Sequence, residues 1–276
     1  MQNRDINNQH IISDMIKFID NKQVFEDTYK QLLSNTKLQR DKESDRSHVM
    51  MGAVAGKYYN VGGIFVLGRA CNGWFRYDLS LKNLFTGNDA IFDIPTQLEK
   101  IRDEYGFNKG FWRVVKDSVS HFYPDEFQQH IVYSNYYKIA YEDGNPSVSL
   151  AKAQCKDCNM ILNAELQLVR PSILLIFSGC EGADERDYNI YSQQIMDYLF
   201  ARGDSNFNGD WSPYFLDSIT WDTKYKYTSE AYQINNLTVI LSEHPERKKV
   251  EPHVNAIIKL LSNYGTIFKN NLNIIK

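Results

Sequence analysis

The order of elements along this chain predicts an α/β fold of three layers, α/β/α, around a central, mostly parallel four-stranded sheet with N-terminal helices added. Three observations predict it. Four short runs (the apolar centre of Val61–Trp74, then Ile131–Ile139, Ile173–Phe177 and Leu237–Leu241) are rich in Ile, Val, Leu, Phe and Tyr, the pattern of strands covered on both faces. Helical spacing fills the stretches between them, an alternation that gives a parallel sheet sandwiched by helices. Each run also closes on glycine or a polar residue, namely Gly68–Asn72, Asn135, Ser178 and His244. In open α/β sheets ligands collect beyond the carboxyl ends of such strands, so these residues are expected along one functional edge.

A chain of 276 residues with 43% hydrophobic and 24% charged residues can bury one large core. A single domain over 1–276 is expected, with 1–47 as a helical extension. A net charge of -3 and a pI near 6.1 argue against holding nucleic acid by global electrostatics and leave only a local basic patch for it. The start, Met1-Gln-Asn-Arg-Asp-Ile, has no apolar leader core, and no window approaches the roughly 18 apolar residues of a membrane span. No membrane partner is expected, and the location is read as cytoplasmic. Cys71, Cys155, Cys158 and Cys180 are too few for a disulfide framework and fit a reducing compartment. Cys155-Lys-Asp-Cys158 has metal-ligand spacing, but a closed site would need two further ligands from Cys71, Cys180 or a histidine. The alternative is two unrelated thiols at the start of a helix.

From Asp5 to Leu33 the pattern reads as two amphipathic helices, followed by a charged connection from Lys37 to Arg46 and a lead-in from His48 to Tyr59. Pro95 opens a helix stopped by Gly106, and Phe111–Phe122 is a second one ending before Pro124. Ala151–Val169 and Tyr188–Ala201 read as helices, the aromatic stretch Tyr214–Asn236 as a hairpin, and Val254–Leu261 as the closing helix.

Among the strand ends, His244 precedes Pro245, which fixes the local backbone and so the direction of the imidazole. Asn135 offers a donor and an acceptor on one planar amide, the geometry that reads a pyrimidine edge or an amide-like ligand. The bland readings are a capping histidine and a turn-forming asparagine. Trp74 and Phe75 could stack on a flat ligand or simply pack. Arg247-Lys248-Lys249 places positive charge beside His244, suited to phosphates or to plain solvation. Neither a phosphate-binding Gly-x-x-x-x-Gly-Lys loop nor a dinucleotide Gly-x-Gly-x-x-Gly is present, and Phe177-Ser-Gly-Cys180 lacks the first glycine of a nucleophile elbow. A hydrolase using Cys180 or Ser178 remains a rival from another class.

Taken in order, these strand ends resemble the uracil-DNA glycosylase superfamily. Gly68-Arg-Ala-Cys-Asn72 is similar to its first-strand turn, with Cys71 in place of a proline; Val132-Tyr-Ser-Asn-Tyr-Tyr-Lys-Ile139 to the second strand of its iron–sulfur branch; and Leu237–Pro245 to its last strand with a His-Pro motif. The resemblance spans about 63–261. It implies DNA as partner, a monomer, Asn135 as reader of a flipped deaminated base, and His244 as the catalyst that stabilises charge on the pyrimidine O2. It further implies that Gly68, Arg69, Ala70 and catalytic Asn72 face base and sugar, with Trp74 or Phe75 stacking. Ile139 stands where that branch has a cluster cysteine, so no iron–sulfur cluster, other metal or cofactor is expected. Arg69 and Ala70 stand where many members carry a water-positioning acid or amide, which leaves open a member that binds a nucleobase without cleaving.

Overall fold

The computed structural model describes residues 3–70, 79, 81, 107, 109–142, 144–179 and 188–265, with side chains described from residue 23 in the first helix and from 191 in the helix that starts at 188. The four predicted runs form the parallel centre of a larger sheet. They are β3 (Ile64–Gly68), β4 (Ile131–Asn135), β6 (Ile173–Phe177) and β9 (Leu237–Ser242), paired parallel in the order β4, β3, β6, β9. The expectation of four strands needs extension. Antiparallel β2 (Val54–Ala55) joins beside β4, and the hairpin β7 (Phe215–Asp222) and β8 (Tyr227–Ile234) joins beside β9, giving seven strands. A separate two-stranded ribbon pairs β1 (His48–Met50) with β5 (Ile139–Tyr141), so the predicted run Ile131–Ile139 divides at Tyr136.

Alternation of side chains along the buried strands builds two cores. Phe65, Leu67, Leu174, Ile176, Val239 and Leu241 point to one face, where α1 (Asn3–Lys42), α3 (Val148–Val169) and α4 (Tyr188–Gly203) pack. Ile64, Val66, Ile173, Leu175 and Ile240 point to the other, under α2 (Gly110–Val119) and α5 (Val250–Tyr264). The three layers are thus as the sequence predicts. The N-terminal segment differs: one helix replaces the expected pair and runs through the charged stretch to Lys42. Phe25, Tyr29 and Leu32 enter the first core, and Tyr29 donates to the Met51 carbonyl at 2.7 Å, tying the helix to the main body.

Chain order fixes where the functional edge lies. The chain leaves β3 for β4 on one side and returns past it to β6 on the other, so the direction of winding reverses between β3 and β6. In open α/β sheets the crevice at this reversal, outside the carboxyl ends, is the favoured ligand position. Register aligns Gly68, Asn135, Phe177 and Ser242 in one row across those ends.

Candidate active site at the carboxyl edge of the sheet

At the reversal point the first residue after β3, Arg69, turns across the crevice and donates from Nη2 to the Ser178 carbonyl at 2.9 Å. Its guanidinium lies 5.0 Å over the Tyr191 ring and is almost wholly buried. Ala70 follows, half-buried. A buried cation at this place sets a positive potential over the crevice, which suits anionic charge more than a neutral ligand.

Asn135 is fully buried at the end of β4, beside Gly68. Its Oδ1 accepts from the Tyr133 hydroxyl at 3.1 Å, and its Nδ2 donates to the Met51 sulfur at 2.6 Å. One amide hydrogen and one lone pair remain for other use. Glycine is required at 68, because a Cβ there would lie 2.2 Å from Asn135 Oδ1 and 3.3 Å from the Tyr133 hydroxyl. On the opposite face of β4, Ser134 accepts from Lys138 Nζ at 2.7 Å and donates to Glu165 Oε1 at 3.1 Å, and Lys138 Nζ reaches the same Oε1 at 2.7 Å. That fully buried trio anchors the strand end that carries Asn135.

His244 is half-buried just beyond β9. Burial, with the nearby positive charges of Arg69 and Lys248, pushes its pKa down to about 3, so the ring is neutral near pH 7. The Glu246 backbone N–H donates to Nδ1 at 3.4 Å, which assigns the ring proton to Nε2 and makes that nitrogen the donor. Lys248 donates to the His244 carbonyl at 2.9 Å and sits 3.9 Å from Glu243 Oε2. Glu243 is itself nearly buried, with Oε2 3.6 Å from where a Cβ on Gly179 would stand. Phe111, in the first turn of α2, lines the same edge, with its ring 6.1 Å from His244 and 5.3 Å from Phe177.

The basic run does not act as one patch. Arg247 and Lys249 are exposed, with Arg247 at φ 59°, whereas Lys248 turns inward to Glu243 and over the Tyr227 ring at 4.7 Å. Beneath His244, His253 Nε2 pairs with Ser242 Oγ at 2.7 Å, Ser242 pairs with Ser229 at 2.7 Å, and Trp221 donates to Ser229 at 3.2 Å. This Ser–His pair is fully buried, and the imidazole stacks on Trp221 at 4.4 Å. It is a packing network, closed to substrate. Ser178 is likewise fully buried and bonded to Ser192 at 3.0 Å, which removes the support for Ser178 as a nucleophile.

Asn72, Trp74, Phe75, Cys71 and Cys180 lie outside the described residues. Cys155 and Cys158 sit well inside α3, because Ser147 caps that helix by accepting from the Leu150 N–H at 3.0 Å; they are not at its start. Cys158 is buried and its thiol is pushed up to about 12, while Cys155 lies 3.4 Å from the Tyr136 hydroxyl. Among the described residues no group of three or more His, Cys, Asp or Glu side chains could hold a metal ion, and no helix is long and apolar enough to cross a membrane. Sequence reasoning missed Phe111, which reads as an ordinary helix start. No protein-family model matches this chain, and no curated protein sequence is significantly similar to it.

Proposed function

We propose that the carboxyl edge binds a deaminated base flipped out of DNA and that the protein is a uracil-DNA glycosylase-like hydrolase of its N-glycosidic bond. The observation that carries this reading is the neutral His244, close enough to Arg69 and Lys248 to feel both charges and holding its ring proton on Nε2. Breaking the glycosidic bond sends its electron pair onto the base, where the charge collects on O2. A preorganised neutral donor in a positive surrounding stabilises that anion with little reorganisation. Asn135 keeps one donor and one acceptor for the base edge, and Phe111 offers an aromatic face to stack on. Glu243 is the carboxylate this edge offers to orient water toward the sugar carbon and take up its proton. Arg247 and Lys249, exposed and each 3.8 Å from a carboxylate (Glu246 and Asp222), are the cations this edge offers to phosphates, a small footprint consistent with a chain of net charge -3.

A second reading, a nucleobase-binding protein without cleavage, is favoured by the absence of a carboxylate at Arg69-Ala70. One experiment separates the two: a uracil-containing oligonucleotide is incubated with wild type, His244→Ala and Glu243→Gln. Release by wild type that falls in both variants supports the hydrolase. Binding selective for uracil without release by any of them supports the binding protein, and neither binding nor release removes both.

A further inference from the structure

A cavity lies at the opposite, amino-terminal edge of the sheet. It encloses about 700 Å³ where the last turns of α3 and α4 meet the turn between β8 and β9. Its polar lining is two arginines, Arg170 and Arg202, four carboxamides, Asn163, Gln167, Asn235 and Asn236, and the hydroxyl residue Ser172. No aspartate or glutamate is among the described residues that line it.

Two helix C-termini would ordinarily make such a place negative. Here several of their carbonyls are already engaged. The Leu166 carbonyl accepts from the Arg170 N–H at 2.9 Å, Val169 from the Tyr59 hydroxyl at 3.0 Å, Arg170 from the Gly62 N–H at 2.9 Å, and Gly203 from Asn235 Nδ2 at 3.1 Å. Arg170 can take the left-handed cap at φ 43° and remain exposed. Arg202 is held by a bond from Nε to Asn163 Oδ1 at 2.6 Å, a contact that does not use its two terminal amino groups. What the cavity presents is therefore a pair of guanidiniums, an apolar floor from Leu166, Leu199 and Leu237, and planar amides around it.

Forked guanidiniums match phosphate oxygens, and carboxamides match the edges of a nitrogen heterocycle. The volume is that of a small-molecule site. We infer that this cavity binds a mononucleotide-class ligand, with its phosphate on Arg202 and Arg170, its base over the leucine floor, and the base edge read by Asn235 and Asn236. The site is independent of the chemistry assigned to the carboxyl edge.

The test is titration of the full chain with AMP, adenosine and inorganic phosphate, followed by calorimetry and by amide shifts in two-dimensional NMR, on wild type, Arg202→Glu and Asn236→Leu. Saturable binding of AMP with shifts at 163–172, 199–203 and 234–237 is expected. Loss of a charge-assisted contact should weaken AMP roughly tenfold or more in Arg202→Glu. Asn236→Leu should weaken AMP and leave phosphate unchanged. The melting temperature checks that each variant is folded, and uracil release by Arg202→Glu should equal that of wild type whether or not wild type releases uracil. No saturable AMP binding up to about 10 mM overturns the proposal, as does equal affinity in wild type and Arg202→Glu. Phosphate binding as tight as AMP, unaffected by Asn236→Leu, overturns the assignment of a base and leaves an anion site.

Discussion

Removing the buried cation beneath the candidate site should cost the fold heavily. Lys138 and Glu165 are 0% and 1% exposed and meet at 2.7 Å, while Glu165 Oε2 has no hydrogen-bond partner among the described residues. Lys138→Met would leave that carboxylate in an apolar layer, a change worth about 3–5 kcal/mol because the remaining charge is uncompensated. For a chain of this size that is a fall in melting temperature of roughly 6–20 °C. The pH dependence has a definite sign. Burial already pushes the Glu165 pKa up, against the pull of Lys138, and loss of that partner pushes it higher. The folded variant then holds a proton that the unfolded chain has released, so its stability falls as pH rises from the unfolded glutamate value, about 4.3, toward the folded one. Urea unfolding at pH 4 and pH 8 measures this directly. The deficit should be small at pH 4 and full at pH 8, and Lys138→Met/Glu165→Leu should recover most of it. A single variant within about 1 kcal/mol of wild type at pH 8, or a double variant no better than the single, would refute the buried ion pair.

Two further perturbations probe the same edge. Gly68→Ala forces a methyl to within 2.2 Å of Asn135 Oδ1, and should lower stability by about 1–3 kcal/mol while displacing the amide; an unchanged denaturation midpoint contradicts that contact. Burial also holds His253 neutral, with its pKa pushed down to about 3, so the unfolded chain binds more protons below the ordinary histidine value. Its contribution to stability is present above about 6.5 and is lost as pH falls toward 3. His253→Gln should therefore flatten the acid limb of stability against pH, and a pH-independent difference from wild type would contradict the account.

The central strands were legible because both of their faces are covered, so apolar residues run without interruption. The outer hairpin was harder to place. Along β7 the side chains are mostly exposed or half-exposed, and its membership of the same sheet depends on pairing between β8 and β9, which local pattern does not encode. The first helix runs on through the charged stretch because Lys37 pairs with Asp41 and Gln39 bonds Glu43, both four residues apart, while Thr36 continues the inner stripe of Phe25, Tyr29 and Leu32. A charged run was thus a solvated helix face rather than a connection.

At the site, the strand ends were readable as an edge, and Gly68, Arg69, Asn135 and His244 do lie along it. Partnerships across the chain were not. Nothing local couples Arg69 to Ser178, Lys138 to Glu165, or Phe111 to His244, since each contact is fixed by the order of strands and helices. Lys248 illustrates the point. Its neighbours Arg247 and Lys249 stay in solvent, and it alone folds back onto Glu243 and the His244 carbonyl.

The most direct measurement is the single-turnover rate of uracil release from DNA by wild type and His244→Ala between pH 5 and 9. A neutral imidazole acting as an oxyanion donor predicts measurable release, a loss of about 10²–10³-fold in the variant, and no inflection near pH 6.5 arising from His244. Equal rates in the two proteins, or a wild-type rate that rises and falls with a histidine protonated near neutral pH, would contradict the account.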